Sequence, residues 1–235
     1  MTRTLAFVAT TGLIGAAAFL TLGIALAGPS WTDTVGLWGI GESTCGPATS
    51  ARQEITLPFA TSDSLAIHMP ASVHYQPSDK AEAVISGDPA LLDNVRFEAG
   101  ELSLDCEPGW FAPRLEVKLS GPPISIWELR GSGDLALSQI NQPKLQLSIK
   151  GSGSASATGT ADSVDLSISG SGEARFVDLT AKSAKVDIRG SGDARLTAQV
   201  DADVSISGSG DVELFGRPVM RRSEIRGSGS IRQIP

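Results

Sequence analysis

Leu145-Gln146-Leu147-Ser148-Ile149-Lys150-Gly151-Ser152-Gly153-Ser154-Ala155-Ser156-Ala157 alternates apolar and polar residues up to a Gly-Ser-Gly corner and resumes the alternation beyond it. A period of two is that of a strand with one face buried. With the corners Gly131 to Gly133, Gly170 to Gly172, Gly190 to Gly192, Gly208 to Gly210 and Gly227 to Gly229 there are six copies, their starts 20, 19, 20, 18 and 19 residues apart. Two residues before each corner stand Leu129, Ile149, Ile168, Ile188, Ile206 and Ile225. Four before stand Trp127, Leu147, Leu166, Val186, Val204 and Ser223.

A fixed period of this size marks a stacked repeat, in which each unit buries its apolar face only against its neighbours. Each unit reads as strand, corner, strand and loop. Glycine at both ends of the corner is expected to supply positive φ, and the serine between them to bond nearby backbone. Nothing in hairpin turn chemistry would demand the same corner in every unit. If successive units coil in one direction, like residues stack about 4.8 Å apart. The expected fold is therefore all-β: a parallel β-helix-like solenoid of about six Gly-Ser-Gly repeats over residues 125–235, each of 18 to 20 residues.

Residues 53–124 are less regular and read as a β cap over the first repeat. Leu65, Ile67 and Met69, then Val73 and Tyr75, alternate with polar or small residues on either side of Pro70. Ala83 to Ile85 is a further strand, and Asp88-Pro89 reads as a helix cap with proline in the first turn. Val95 and Phe97, then Leu102 and Leu104, suggest a hairpin around Ala99-Gly100. Leu115, Val117 and Leu119 form a last strand before Pro122-Pro123. At the other end Gly216-Arg217-Pro218 marks a widened loop, and Ser223 and Gln233 make the last turn polar.

Ser86-Gly87-Asp88-Pro89-Ala90-Leu91-Leu92-Asp93-Asn94-Val95, Gly100-Glu101-Leu102-Ser103-Leu104 and the Gly-Ser-Gly-Asp units together resemble the autotransporter adhesin head GIN domain family. The resemblance runs from about Ile55 to the C-terminus. It implies a β-helical bacterial extracytoplasmic domain of unassigned function, and the family's name implies adhesion. An autotransporter carries its own C-terminal membrane barrel, whereas this sequence stops at Pro235 just past its last corner. A periplasmic location is expected ahead of surface display.

Residues 1–27 contain a single charge, Arg3, followed by the uncharged run Thr4 to Ala27. That run is long enough to span a bilayer as an apolar helix, yet it ends in Ala25-Leu26-Ala27, a small-x-small pattern a signal peptidase reads. A cleaved signal peptide and a retained transmembrane helix both export the rest of the chain, with Arg3 on the cytoplasmic side. Residues 28–52 are a linker in which Trp31 and Trp38 suit either the lipid headgroups or the first turn of the domain. Cys45 and Cys106 are the only cysteines, and an exported chain permits a disulfide between them.

The net charge of -7 argues against nucleic acid, which is met by a basic face. Two polar rows flank the corner: Arg130, Lys150, Ser169, Arg189, Ser207 and Arg226 before it, and Asp134, Ser154, Glu173, Asp193, Asp211 and Ser230 after it. A basic row beside an acidic row reads as a surface laced with salt bridges. Calcium β-rolls use a nine-residue period, and two of the six corners here carry Ser where Asp would be needed, so the carboxylates are too few. No metal or cofactor is expected.

Carbohydrate-active β-helices cluster carboxylates on one face, and Asp193 with Arg189 or Glu173 with Arg175 imitates that. These residues recur as members of rows, however, and an active site is a local break in a repeat. His68 and His74 share the polar parity of their strands and have no third partner in sequence. No Ser-His-Asp arrangement, phosphate-cradling loop or paired-cysteine spacing is present. The favoured expectation is a non-enzymatic interaction or adhesion module of the bacterial cell envelope, its partner an envelope protein or a glycan. A polysaccharide-processing enzyme is the alternative. The end of the stack leaves pairing with a second copy open.

Overall fold

A computed structural model describes residues 44–46, 51–59, 62–108 and 113–235. The expected leader helix of residues 1–27 and the linker apart from residues 44–46, 51 and 52 lie outside them. No helix among the described residues is long and apolar enough to cross a membrane. The described chain is a β-solenoid of about five turns with almost no helix.

The repeat region consists of β8 (Ile126–Gly131), β9 (Asp134–Gly151), β10 (Ser154–Gly170), β11 (Glu173–Gly190), β12 (Asp193–Gly208), β13 (Asp211–Phe215), β14 (Val219–Gly227) and β15 (Ser230–Ile234). All adjacent pairs among them are parallel. Leu129, Ile149, Ile168, Ile188, Ile206 and Ile225 stand opposite one another from turn to turn, as do Trp127, Leu147, Leu166, Val186 and Val204. Ile149, Ile168, Ile188 and Ile206 are fully buried, each contributing about 2–3 kcal/mol of apolar burial. On the far side of the corner the facing column narrows from Leu135 to Ala155, Ala174 and Ala194 before widening to Val212.

In β9 to β12 the expected loop between corners is absent, whereas in the last turn Gly216 to Pro218 separate β13 from β14 as expected. β9 runs for 18 residues from one corner to the next, and its alternation changes phase instead of breaking. Pro143 and Lys144 are consecutive exposed residues between buried Gln142 and Leu145. Gln139, with φ 56°, makes an earlier bend next to Gly159 of β10, with φ 123°. β9 is thereby divided into three runs, and the ladders between neighbouring turns lapse and resume near the bends. Register shifts at these bends absorb the variation in repeat length.

The two glycines of a corner have different reasons. Gly151 has φ +128°, and a Cβ on it would lie 2.5 Å from the Gly131 carbonyl oxygen of the preceding corner. Gly153 has no positive φ; a Cβ there would lie 2.7 Å from Gly133 O and 2.8 Å from Leu129 Cδ2. The expectation that both glycines serve the backbone angle is corrected: the second serves close approach. The serine contributes its backbone, since Ser152 N–H donates to Gly131 O at 2.9 Å and Ser171 N–H to Gly151 O at 2.9 Å.

Upstream, β1 (Gln53–Leu57), β2 (Ser64–His68), β3 (Ala71–Pro77), β4 (Glu82–Gly87), α1 (Pro89–Leu92), β5 (Val95–Glu98), β6 (Glu101–Leu104) and β7 (Leu115–Gly121) follow in order. Asp88 caps α1, its carboxylate accepting from Ala90 N–H at 2.9 Å. β2 and β3 form a turn of the solenoid with Met69-Pro70 at its corner: β2 pairs with β8 and β3 with β9, both parallel. β6 and β7 then lie on the other side of β2 and β3, again parallel. The order along the stack thus departs from the order in the chain, for β6 and β7 lie outside β2 and β3, which precede them in sequence. β4 and then β1 continue from β7, and β5 continues from β6, all antiparallel.

The return from β7 to β8 is held by aromatic side chains. Tyr75 O–H donates to Pro122 O at 2.7 Å and Trp127 Nε1–H to Ile124 O at 3.1 Å. Gln142, the one buried side-chain amide among the described residues, donates from Nε2 to Ile124 O at 3.2 Å and Lys144 O at 2.7 Å. Later turns carry Ala161 and Ala181 in register with it. Cys45 is disulfide-bonded to Cys106, with Cα atoms 5.0 Å apart.

Candidate binding surface

The outward side chains form columns because the register places equivalent residues opposite one another. Arg130, Lys150, Ser169, Arg189, Ser207 and Arg226 make one column. Asp134, Ser154, Glu173 and Asp193 make another, with Asp211 opposite Ser230 at its end. Their partners differ from the expected pairing across the corner. Among the described residues the basic column is paired along its own face: Arg130 and Lys150 to Glu128, Arg189 to Asp187 at 3.1 Å and Arg226 to Glu224 at 2.5 Å. The acidic column pairs on the other face, Asp134 with Arg114 at 2.5 Å and Glu173 with Arg175 at 2.7 Å and Arg195 at 3.0 Å. Asp193 Oδ1 accepts from Asp211 N–H, and Asp211 Oδ1 accepts from Ser230 Oγ–H at 2.7 Å. The physical reason is reach: a residue two places along the same strand lies on the same face, whereas the corner turns the next strand away.

Three of these carboxylates are shifted by their contacts. Arg175 hydrogen bonds hold Glu173 below its ordinary value against the opposing effect of burial, and Ser230 does the same for Asp211. For Glu128, burial pushes upward, but Lys150 and Arg130 together outweigh it and the net direction is down. None of these three is raised, as a general acid at neutral pH would be. Among the described residues no three His, Cys, Asp or Glu side chains are placed to hold a metal ion.

The histidines separate. His68 Nδ1 lies 2.6 Å from Glu101 Oε1 and its Nε2 3.9 Å from Glu128 Oε1, joining β6 to β8 across β2. His74 lines a shallow depression of about 230 Å³ with Asp134, Ser154, Ser156 and Arg175.

A larger open groove, about 370 Å³, crosses the middle runs of β9, β10 and β11. Asn141, Thr160 and Thr180 form an in-register column along it, with Ala161, Ala181 and Gln199 beside them. Thr160 Oγ1–H donates to Asn141 Oδ1 at 3.3 Å, and the groove's two charges, Asp162 and Lys182, pair at 2.7 Å. This column escapes a reading of the sequence because it lies beyond the bends, where spacing from the corner varies. Asn141 is eight residues past Gly133 while Thr160 is seven past Gly153.

None of the curated proteins matches the chain. A crystal structure described as a putative adhesin, from Bacteroides fragilis NCTC 9343, aligns with TM-score 0.64 at 16% identity, covering 80% of this chain and 99% of that one. Another so described, from Parabacteroides distasonis ATCC 8503, aligns with TM-score 0.50 at 16% identity, covering 78% of this chain and 97% of that one. At these identities the likeness is one of fold. The family described as "Putative auto-transporter adhesin, head GIN domain" matches residues 63–218, which include the β2–β3 turn and four complete Gly-Ser-Gly repeats, and the chain belongs to that family.

Proposed function

We propose that the protein is an exported, non-enzymatic adhesion module of the bacterial cell envelope that holds an extended glycan along the Asn141, Thr160 and Thr180 groove. The in-register column carries this reading. Its polar groups repeat at about 4.8 Å, one strand spacing, comparable to the advance of one sugar ring in an extended polysaccharide. Hydroxyl and amide groups match sugar hydroxyls as both donors and acceptors. The groove is open along its length, which suits a polymer better than a small substrate enclosed for reaction. The adhesin family and the paired carboxylates support the non-enzymatic reading. The Cys45–Cys106 bond supports export to an oxidising compartment, and the apolar run of residues 4–27 would serve as signal peptide or anchor.

The test is an array of envelope glycans probed with the full chain and with a Thr160→Arg/Thr180→Arg variant, whose side chains project outward and leave the core intact. Binding to an extended polysaccharide that the variant loses is expected. Absence of glycan binding, equal binding by both proteins, or cleavage of the glycan would overturn the proposal.

A further inference from the structure

The two ends of the solenoid carry opposite charge. Residues 216–235 contain five arginines, Arg217, Arg221, Arg222, Arg226 and Arg232, and a single acid, Glu224, in a chain whose net charge is -7. Residues 93–107 contain five acids, Asp93, Glu98, Glu101, Asp105 and Glu107, and one base, Arg96. The basic segment supplies β14 and β15, which end the stack; β14 pairs with β12 and β15 with β13, and each has its other edge unpaired among the described residues. The acidic segment supplies β5 and β6 at the opposite end, where β5 pairs with β6 on one side only among the described residues.

The basic end also exposes apolar surface. Ile225 continues the column of Ile168, Ile188 and Ile206, yet is 43% exposed, and Val219 at the start of the same strand is 68% exposed. An exposed strand edge with apolar neighbours is a template for another strand, and an end repeat ordinarily carries a polar outer face. Charge selects the occupant. Two basic ends, or two acidic ends, would face like charge, so a two-fold symmetric pair is disfavoured by either route. A basic end against an acidic end places Arg226 and Arg232 toward carboxylates such as Glu98 and Glu107.

We propose that a second copy of this chain docks head to tail, its acidic β5–β6 end on the basic β14–β15 edge. Such an interface is heterologous and propagates from copy to copy unless the rotation closes it into a ring. It is stronger at low ionic strength, because the complementary charges are exposed and screened by salt.

Sedimentation velocity of the full chain in mild detergent, over a range of concentrations and at low and high salt, tests this. The expected result is a concentration-dependent series beyond the dimer at low salt, weakened about tenfold or more at high salt. Arg226→Glu/Arg232→Glu and Glu98→Lys/Glu107→Lys variants, checked for native circular dichroism, should each lose self-association. Mixed together they should regain it, since each then offers an end complementary to the other's. Monomers throughout, a series stopping at the dimer, or mixed variants that fail to associate would overturn the proposal. Val219→Lys provides an independent check: it should weaken assembly without lowering the melting temperature.

Discussion

The rings of Tyr75 and Trp127 lie 4.9 Å apart, centroid to centroid, with their planes tilted by 59°, and both side chains are buried. They belong to successive turns, β3 and β8, and together bind the carbonyls of the segment that returns from β7 to β8. Burial pushes the Tyr75 hydroxyl up to about 12. Tyr75 is the only tyrosine, so phenolate absorbance reports on this site alone. Titration of the folded protein should show a midpoint near 12, and of the unfolded chain near about 10. A raised value in the folded state means that stability is full below about pH 10 and is lost as pH rises through that window. A folded-state midpoint near 10 would mean that the hydroxyl is open to solvent.

Gly170→Ala should cost about 3 kcal/mol or more, because it combines a φ of +122° with a Cβ placed 2.4 Å from Gly151 O. Gly172→Ala should also destabilise, through contact with Ile149 Cγ2 at 2.6 Å and Gly153 O at 2.8 Å. Ser171→Ala should change stability by no more than about 0.5 kcal/mol, since the serine joins the ladder through its backbone and its side chain is exposed. Urea unfolding of the three variants decides between this division of roles and one in which the serine hydroxyl holds the corner.

Removing the Cys45–Cys106 link closes off no contact in the repeats but frees a loop with a sequence separation of 61. In the chain-entropy model that loop is worth about 4 kcal/mol. A Cys45→Ser/Cys106→Ser variant should therefore unfold at clearly lower urea. Identical midpoints for the two proteins would show that the first turns need no tether.

Glu128 should govern part of the acid response. Its carboxyl lies below the ordinary range, so its contribution is present above about pH 4.3 and is lost as pH falls through the lower folded value. Glu128→Gln should lower stability at neutral pH and flatten the decline between pH 5 and 3, measured as melting temperature against pH. Parallel curves for the two proteins would show that Lys150 and Arg130 do not act through this group.

What the sequence discloses is what repeats. The Ile168 and Leu166 positions are legible because their alternation and their offset from the corner are the same in turn after turn. The bend at Gln139 is not, because a left-handed angle at a non-glycine residue is imposed by the neighbouring strand rather than by local preference. The placement of β6 and β7 outside β2 and β3 is likewise hidden. Short strands such as Glu101–Leu104 carry a burial pattern but no mark of which partner they will meet. The columns of Arg130 and Asp134 were visible, whereas their partners were not, since two residues along one face and one residue across a corner look equally near in sequence. The Thr160 groove lay where register shifts had scrambled the spacing.

The interleaving of β2 and β3 between β6, β7 and the first repeat has a consequence for how such a protein changes over generations. The interlocked turns involve β2, β3, β6, β7, β8 and the start of β9, whereas β10, β11 and β12 pair only with their neighbours in the stack. Whole repeats within residues 154–208 are therefore units of duplication or loss that leave the interlocked end untouched. Each such event moves one end relative to the other by one strand spacing, about 4.8 Å, so the count of Gly-Ser-Gly corners acts as a ruler for reach.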